Sequence, residues 1–372
     1  MNRVEADELS LTANLPKYYD ITGTSIVRDQ AIAELEILFN ENGWTDPQYV
    51  SGPSFPAVTQ QFDGGVLVPD ERVVIAPNDS DTVYSYDPVS DSLTAEDTHG
   101  RGTGSGMFAG AALAPSGSVV FAPWDSDNIG LFDPATGTYS DGPTHGQPDG
   151  AFAGATLAPS GEVVFAPYNS DSVGIYDPDA DSYREVGSNT TSTAFRGVAL
   201  EPGGKVICVP HTSNLVGVYD FSDDSYSEDE AHFRSDYAFC GGAVAPNGNV
   251  IFAPYDSDVI GIYDPETDTF TDGPEHYEGN NAFCGATLSP TGEIIFAPDS
   301  SSYVGIYDPV TDQYRHSSYL SLTGNMFRGG TLLPSGKILL NSYSSNEFAL
   351  VDTQAQTAKP RATALHPIVQ SY

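Results

Sequence analysis

FAGATLAPSGEVVFAPYNSDSVGIYDPDADSYREV, running from Phe152 to Val186, decides the fold. It contains four short runs rich in β-branched and aromatic residues, separated by turn formers. The first is Phe152 to Ala158, and Pro159-Ser160-Gly161 reverses the chain after it. Val163 to Ala166 is the second, Tyr168 to Asp171 forms the next turn, and Ser172 to Tyr176 is the third. Asp177-Pro178 stops that run, because proline has no N–H to give to a central ladder. The fourth run lies near Ser182 to Val186.

Working outward, the same unit recurs. A Phe-x-Gly occurs at Phe62, Phe108, Phe152, Phe195, Phe239, Phe283 and Phe327. Seven residues later stands a proline (Pro69, Pro115, Pro159, Pro202, Pro246, Pro290, Pro334), and eighteen after that an aspartate (Asp87, Asp133, Asp177, Asp220, Asp264, Asp308, Asp352). Both offsets hold in all seven copies, and all variation in length falls between one aspartate and the next phenylalanine. Stacked supersecondary units produce that pattern. Four short antiparallel strands in about 44 residues suit one blade, and seven such units close a ring. The expectation is an all-β chain, a seven-bladed β-propeller of four-stranded antiparallel blades; an open β-solenoid is the alternative. Copies one and seven depart from the pattern, with Asp70-Glu71 in place of a glycine turn and Asn341-Ser342 in place of Ala-Pro. The fourth strand of copy seven is open between residues 356–365 and a segment before Phe62.

Residues 1–55 lie outside the repeats and are read as an N-terminal arm and helix, with residues 56–372 as the propeller. Ser25 to Asn42 has helical periodicity, with Ile32, Leu35, Leu38 and Phe39 on one apolar stripe. A lone helix cannot bury that stripe, so it either packs on the propeller or attaches it to another subunit.

Composition bounds the surroundings. The 372 residues carry a net charge of −37, from 34 Asp and 17 Glu against 10 Arg and 4 Lys. Such a surface stays hydrated and soluble in concentrated salt, where screening relieves its self-repulsion, and the balance resembles that of halophile proteins. It argues against nucleic-acid binding, which needs basic side chains at phosphates. The regular aromatic content argues against an acidic disordered chain. No apolar run is long enough for a membrane span, and the start, MNRVEADELS, has no signal-peptide pattern. The expected location is a virion, or else the cytoplasm. Three cysteines without paired spacing do not read as a disulfide framework, and Cys240 and Cys284, equivalent in adjacent copies, read as small buried packers.

Candidate sites follow from the repeat. The loops between second and third strands share a face with the inter-blade loops. They begin at Asn78, Trp124, Tyr168, His211, Tyr255, Asp299 and Tyr343, a ring of varied residues on a fixed scaffold and the expected ligand-binding face. The residue inside Phe-x-Gly varies as sharply: Asp63, Ala109, Ala153, Arg196, Cys240, Cys284 and Arg328. At the channel mouth, Arg196 and Arg328 either hold an anion or pair with Asp63, and pairing is favoured because a buried charge needs a partner. His99, His145, His232 and His276 lie in inter-blade loops and read as structural. Asp79, Asp81, Asp125, Asp127, Asp256 and Asp258 read as turn caps, with loosely bound Ca²⁺ or Na⁺ as the alternative. No catalytic residue and no cofactor is assigned.

The unit Gly-x-x-Leu-x-Pro-x-Gly-x-Val-x-Phe … Val-Gly-Ile-Tyr-Asp-Pro-x-Thr, seen best at 154–177 and 285–311, resembles the repeat of virginiamycin B lyase-like and NHL-like propellers. The resemblance covers about residues 62–358 and implies architecture. Lyases of that group use a histidine and acidic residues with Mg²⁺ on one face, and no motif here receives those roles. Propellers with this repeat are also similar to surface proteins of tailed viruses. The resulting expectation is a non-enzymatic binding propeller on a haloarchaeal virion, as head turret, spike or tail component. It would assemble as a homo-oligomer with other virion subunits through its N-terminal segment and bind a host surface protein or glycan. An Mg²⁺-dependent lyase or hydrolase and a cytoplasmic scaffold are the alternatives.

Overall fold

The computed structural model describes residues 48–54, 61–104, 106–188, 191–234, 237–320, 326–345 and 347–353. They form seven separate four-stranded antiparallel sheets, the blades of a propeller. In the third blade the strands are Phe152–Leu157, Val163–Pro167, Val173–Asp177 and Ser182–Val186, within a residue or so of the sequence reading. The helix expected at 25–42, with Ile32, Leu35, Leu38 and Phe39, lies outside the described residues, as do residues 356–365. No helix among the described residues is long and apolar enough to cross a membrane.

The seventh blade settles the open fourth strand. Its order is Gln48–Ser54, Glu347–Asp352, Lys337–Ser342, Phe327–Leu332. Tyr49 pairs with Val351 and Val50 with Leu350, so the first and last described strands share one sheet. Seven residues of the stretch read as an arm therefore belong to the propeller sheet.

The core lies between blades. Second strands such as Val119–Pro123 and Val163–Pro167 are buried at every position. A strand covered on both faces loses polar alternation and reads as a continuous apolar run. One interface packs Ala112, Val120 and Ile129 of the second blade against Phe152, Val163 and Phe165 of the third. The equivalent seam between the last and first blades joins Leu339 and Phe348 to Phe62, Val73 and Tyr86. Outer strands such as Ser92–Thr98 and Thr138–Thr144 have no buried position and face solvent.

The repeat's conserved-looking letters each have a local cause. Asp87 accepts backbone N–H bonds from Val89 and Ser90 and a hydroxyl bond from Ser90, which fixes the turn after the third strand. Asp133 and Asp308 do the same in their blades. Further along that turn the chain goes left-handed at Asp91, Asp181, Asp224, Asp268 and Asp312. Each of these carboxylates accepts the hydroxyl of the tyrosine five residues earlier: Tyr86, Tyr176, Tyr219, Tyr263 and Tyr307. The second blade has Phe132, with no hydroxyl to offer, and there the left-handed residue is Gly137.

The Phe-x-Gly glycines line the axis. All seven have positive φ, from 72° at Gly329 to 117° at Gly154 and Gly285. A Cβ built on Gly154 would lie 2.9 Å from Gly197 Cα, and one on Gly197 would lie 2.7 Å from Gly241 Cα. The blades thus meet backbone to backbone. Gly154→Ala should cost about 2–5 kcal/mol, combining strained backbone with overpacking. Gly117→Ala, at φ 88° with nothing within 4 Å of the new methyl, should cost only about 1–2 kcal/mol. Denaturant unfolding in molar salt reads the difference, and equal costs would contradict a close-packed throat.

Candidate functional site

Each innermost strand breaks register just after its phenylalanine, for example between Phe195 and Val198 in the fourth blade. The residue inside Phe-x-Gly sits in that bulge. Blades one, four and seven thereby bring three charges together at the channel mouth. Arg196 Nη2 lies 3.2 Å from Asp63 Oδ2, and Arg328 Nη1 lies 3.4 Å from the same oxygen. The fourth and first blades are not neighbours in the ring, so Arg196 reaches across the mouth. Both arginines are buried, at 9% and 8% exposure. The pairing favoured from sequence is what the geometry shows. Two guanidiniums thus share the Asp63 carboxylate, and the buried Asp299 carboxylate also feels the pull of both.

Aromatic rings enclose the triad. The Arg328 guanidinium lies 3.3 Å from the Tyr343 ring centroid and that of Arg196 lies 6.0 Å from Trp124, both within cation–π range. Trp124 packs on Tyr168 at 4.5 Å, and His211 lies between Tyr168 and Tyr255 at 5.9 and 5.6 Å. The predicted loop ring and the predicted mouth residues are therefore one cluster. It is packed inward: Asn78, His211, Asp299 and Tyr343 are buried, and Trp124, Tyr168 and Tyr255 are half-buried. Burial, with the positive charge of Arg196 second, pushes the His211 imidazole down to about 3, so it is neutral.

Two members of the ring tie adjacent blades. Asn78 donates from Nδ2 to the Phe108 carbonyl at 2.9 Å, and His211 Nδ1 bonds the Phe239 carbonyl at 2.7 Å. In each case the acceptor is the phenylalanine of the next blade. Asp299 holds the same position but is an acceptor, and it closes no such bond. It is 0% exposed, and although the Tyr255 hydroxyl approaches it, neither carboxylate oxygen completes a hydrogen bond. Burial raises its pKa above the ordinary carboxylate value, against the pull of Arg328 and Arg196.

The cysteine reading needs correction. Cys240 and Cys284 are joined by a disulfide rather than merely packed, while Cys208 is free and buried. They occupy the bulge position of adjacent innermost strands, where the close approach at the axis puts their Cα atoms 4.7 Å apart, inside disulfide range. Their equivalence in the repeat was the available signal.

The four inter-blade histidines are bound at both ring nitrogens. Nε2 of His99, His145, His232 and His276 meets the carbonyl of Ser80, Ser126, Ser213 and Ser257 at 2.6–2.8 Å. Nδ1 accepts the backbone N–H two residues on, at 3.1–3.3 Å. That fixes the tautomer and uses both lone functional positions. Each ring also wedges edge-on against the next blade's phenylalanine, as His145 does on Phe152. Three of the six loop aspartates cap turns: Asp125 accepts from Gly150 N–H and Asp256 from Asn281 N–H, both at 2.8 Å, and Asp81 from Gly102 N–H at 2.9 Å. Among the described residues no three His, Cys, Asp or Glu side chains converge as metal ligands.

Along the axis the glycine throat borders a cavity of about 220 Å³ lined by small residues and by Asn341. Asn341 is fully buried and neither end of its amide finds a hydrogen-bond partner. Other blades carry Ala or Val at this position.

Asp299→Asn supplies the missing donor. A carboxyl whose folded pKa is raised adds stability at low pH and loses it as the pH rises through that pKa. At pH 7 the variant should therefore be more stable by about 1–3 kcal/mol, with the gain shrinking as the pH falls toward 4. Chemical unfolding across that range measures it, and a loss of stability at pH 7 would contradict the buried-acceptor reading.

No family model matches the sequence, and no curated protein matches it. Solved structures share the fold. A streptogramin B lyase superposes with a TM-score of 0.71 at 15% identity, covering 83% of this chain and 98% of that one. Virginiamycin B lyase from Staphylococcus aureus gives 0.69 at 14%, covering 82% and 98%. Kuenenia stuttgartiensis hydrazine synthase gives 0.65 at 16%, covering 83% and 100%. At these identities the likeness is one of architecture: the chain is a seven-bladed propeller of the shape seen in virginiamycin B lyase.

Proposed function

We propose that this chain is a non-enzymatic binding propeller from a high-salt source, carried on a virion surface. In this reading the segment before the first blade attaches it to neighbouring subunits, and the loop face meets a host-surface component. The observation that supports it is the commitment of the four loop histidines and of the mouth arginines to internal bonds. The four loop histidines have both nitrogens engaged with backbone, and the arginines at the mouth share Asp63. A general base needs a free lone pair within reach of substrate, and these rings offer none. The excess of aspartate over lysine supports the high-salt source, since dense carboxylates are tolerated where salt screens them.

The lyase alternative draws on shared architecture, and a fold alone does not carry an activity.

Attachment is tested by deleting residues 1–45, which leaves the strand Gln48–Ser54 in place. The truncated chain should unfold at the same temperature as the full chain and fail to enter particles. Unaltered incorporation would contradict the attachment role.

A further inference from the structure

The residue after each loop histidine is in the left-handed region in four blades. It is Gly100 at φ 73° and Gly146 at 69°, but Phe233 at 53° and Tyr277 at 61°. Glycine takes that conformation freely, whereas a bulky aromatic is strained by it. Packing within the chain does not offset the strain, because Phe233 is 89% and Tyr277 85% exposed. Tyr237, in the same loop as Phe233, is also left-handed at φ 62° and 45% exposed, and it leans edge-on against His211 of the mouth ring at 5.1 Å. Every other non-glycine residue with positive φ among those described is Asp, Asn, Glu or Thr. The strained aromatics thus fall only in two adjacent inter-blade loops on one face.

Large exposed rings held in a costly conformation mark a surface kept for contact. Charge decides the partner. Glu230 and Glu275 flank the two rings and are exposed. Each of the seven arginines in the described residues is already ion-paired with a carboxylate, Arg234 beside Phe233 with Asp272 among them, so no described arginine is left over to neutralise Glu230 and Glu275. A second copy, also at −37, brings the same repelling charge. We propose that the loops carrying Phe233, Tyr237 and Tyr277 dock a basic segment of a partner protein. Its arginine or lysine side chains would lie over the rings and against the neighbouring carboxylates. This rests on the binding reading above and gives its loop face a site and a partner chemistry.

The test uses the full chain and a Phe233→Gly/Tyr277→Gly variant, which has the same net charge. The probe is a fluorescent (Arg-Gly)5 peptide in 1 M KCl, where the screening length is about 3 Å and diffuse attraction is suppressed. The variant should bind the peptide about tenfold more weakly and melt at the same or a higher temperature, since glycine removes the strain. A (Ser-Gly)5 peptide should bind neither. Equal binding of (Arg-Gly)5 by both proteins would overturn the proposal, and so would a lower melting temperature in the variant. Binding of maltohexaose with no binding of the arginine peptide would also overturn it, in favour of a glycan site. The particle-incorporation result for the 1–45 deletion is independent of all three outcomes, so the two readings fail separately.

Discussion

Seven glycines in contact around one axis set the terms for the whole molecule. Gly154, Gly197, Gly241 and Gly285 each leave less than 3 Å for a Cβ before it strikes the next blade's backbone. Only a residue without a side chain and tolerant of positive φ fits there. Because the inner strands are that close, the phenylalanine beside each glycine is driven into the blade interface. There Phe108 and Phe152 press on Gly130 and Gly174 of the third strands, with 2.7–2.8 Å left for a Cβ. The same proximity brings two cysteines within bonding reach and lets an arginine from the fourth blade span the mouth to the first.

The consequences differ between scaffold and seam. Inside the repeat, the recurring polar groups have set partners: the left-handed aspartate with its tyrosine, the loop histidine with a serine carbonyl. At the seam the pattern yields. Asn341 replaces a small apolar residue and lies unpartnered beside the throat. The outer strand is taken from residues 48–54, so the first and last stretches of the fold stabilise one another. At the mouth, two arginines share one carboxylate of the first blade, and Asp299 sits where Asn78 and His211 donate. Such departures from local consistency are where function or strain is to be sought.

Much of the fold was legible because a repeat states its own register. The spacing of seven and eighteen residues located every blade, and the proline and glycine turns located strands to within a residue or so. Equivalence of position also made the Asp63 pairing readable, although Arg196 lies 133 residues away. What escaped the sequence was set by ring geometry. The seventh blade's outer strand stayed open between two segments, because QYVSGPS has no periodicity of its own and gains identity only from the bare edge of Glu347–Asp352. The disulfide needed the 4.7 Å approach of two inner strands, which no spacing reveals. The inward packing of the loop ring likewise follows from the narrow mouth; letters such as Tyr168 and Tyr255 read equally well as a rim. The strained aromatics were in view, since aligning copies on their histidines sets Phe233 and Tyr277 against Gly100 and Gly146. Their meaning needed the backbone angles.

The central claim is that the ring holds as one closed unit, clasped by residues 48–54. Replacing those seven residues with a Gly/Ser linker of equal length keeps the chain connected and strips the outer strand from the seventh blade. The account predicts that thermal unfolding in molar salt then begins at a lower temperature and loses its single sharp transition, because the seam between Phe348 and Phe62 opens first. An unchanged, equally cooperative transition would contradict it.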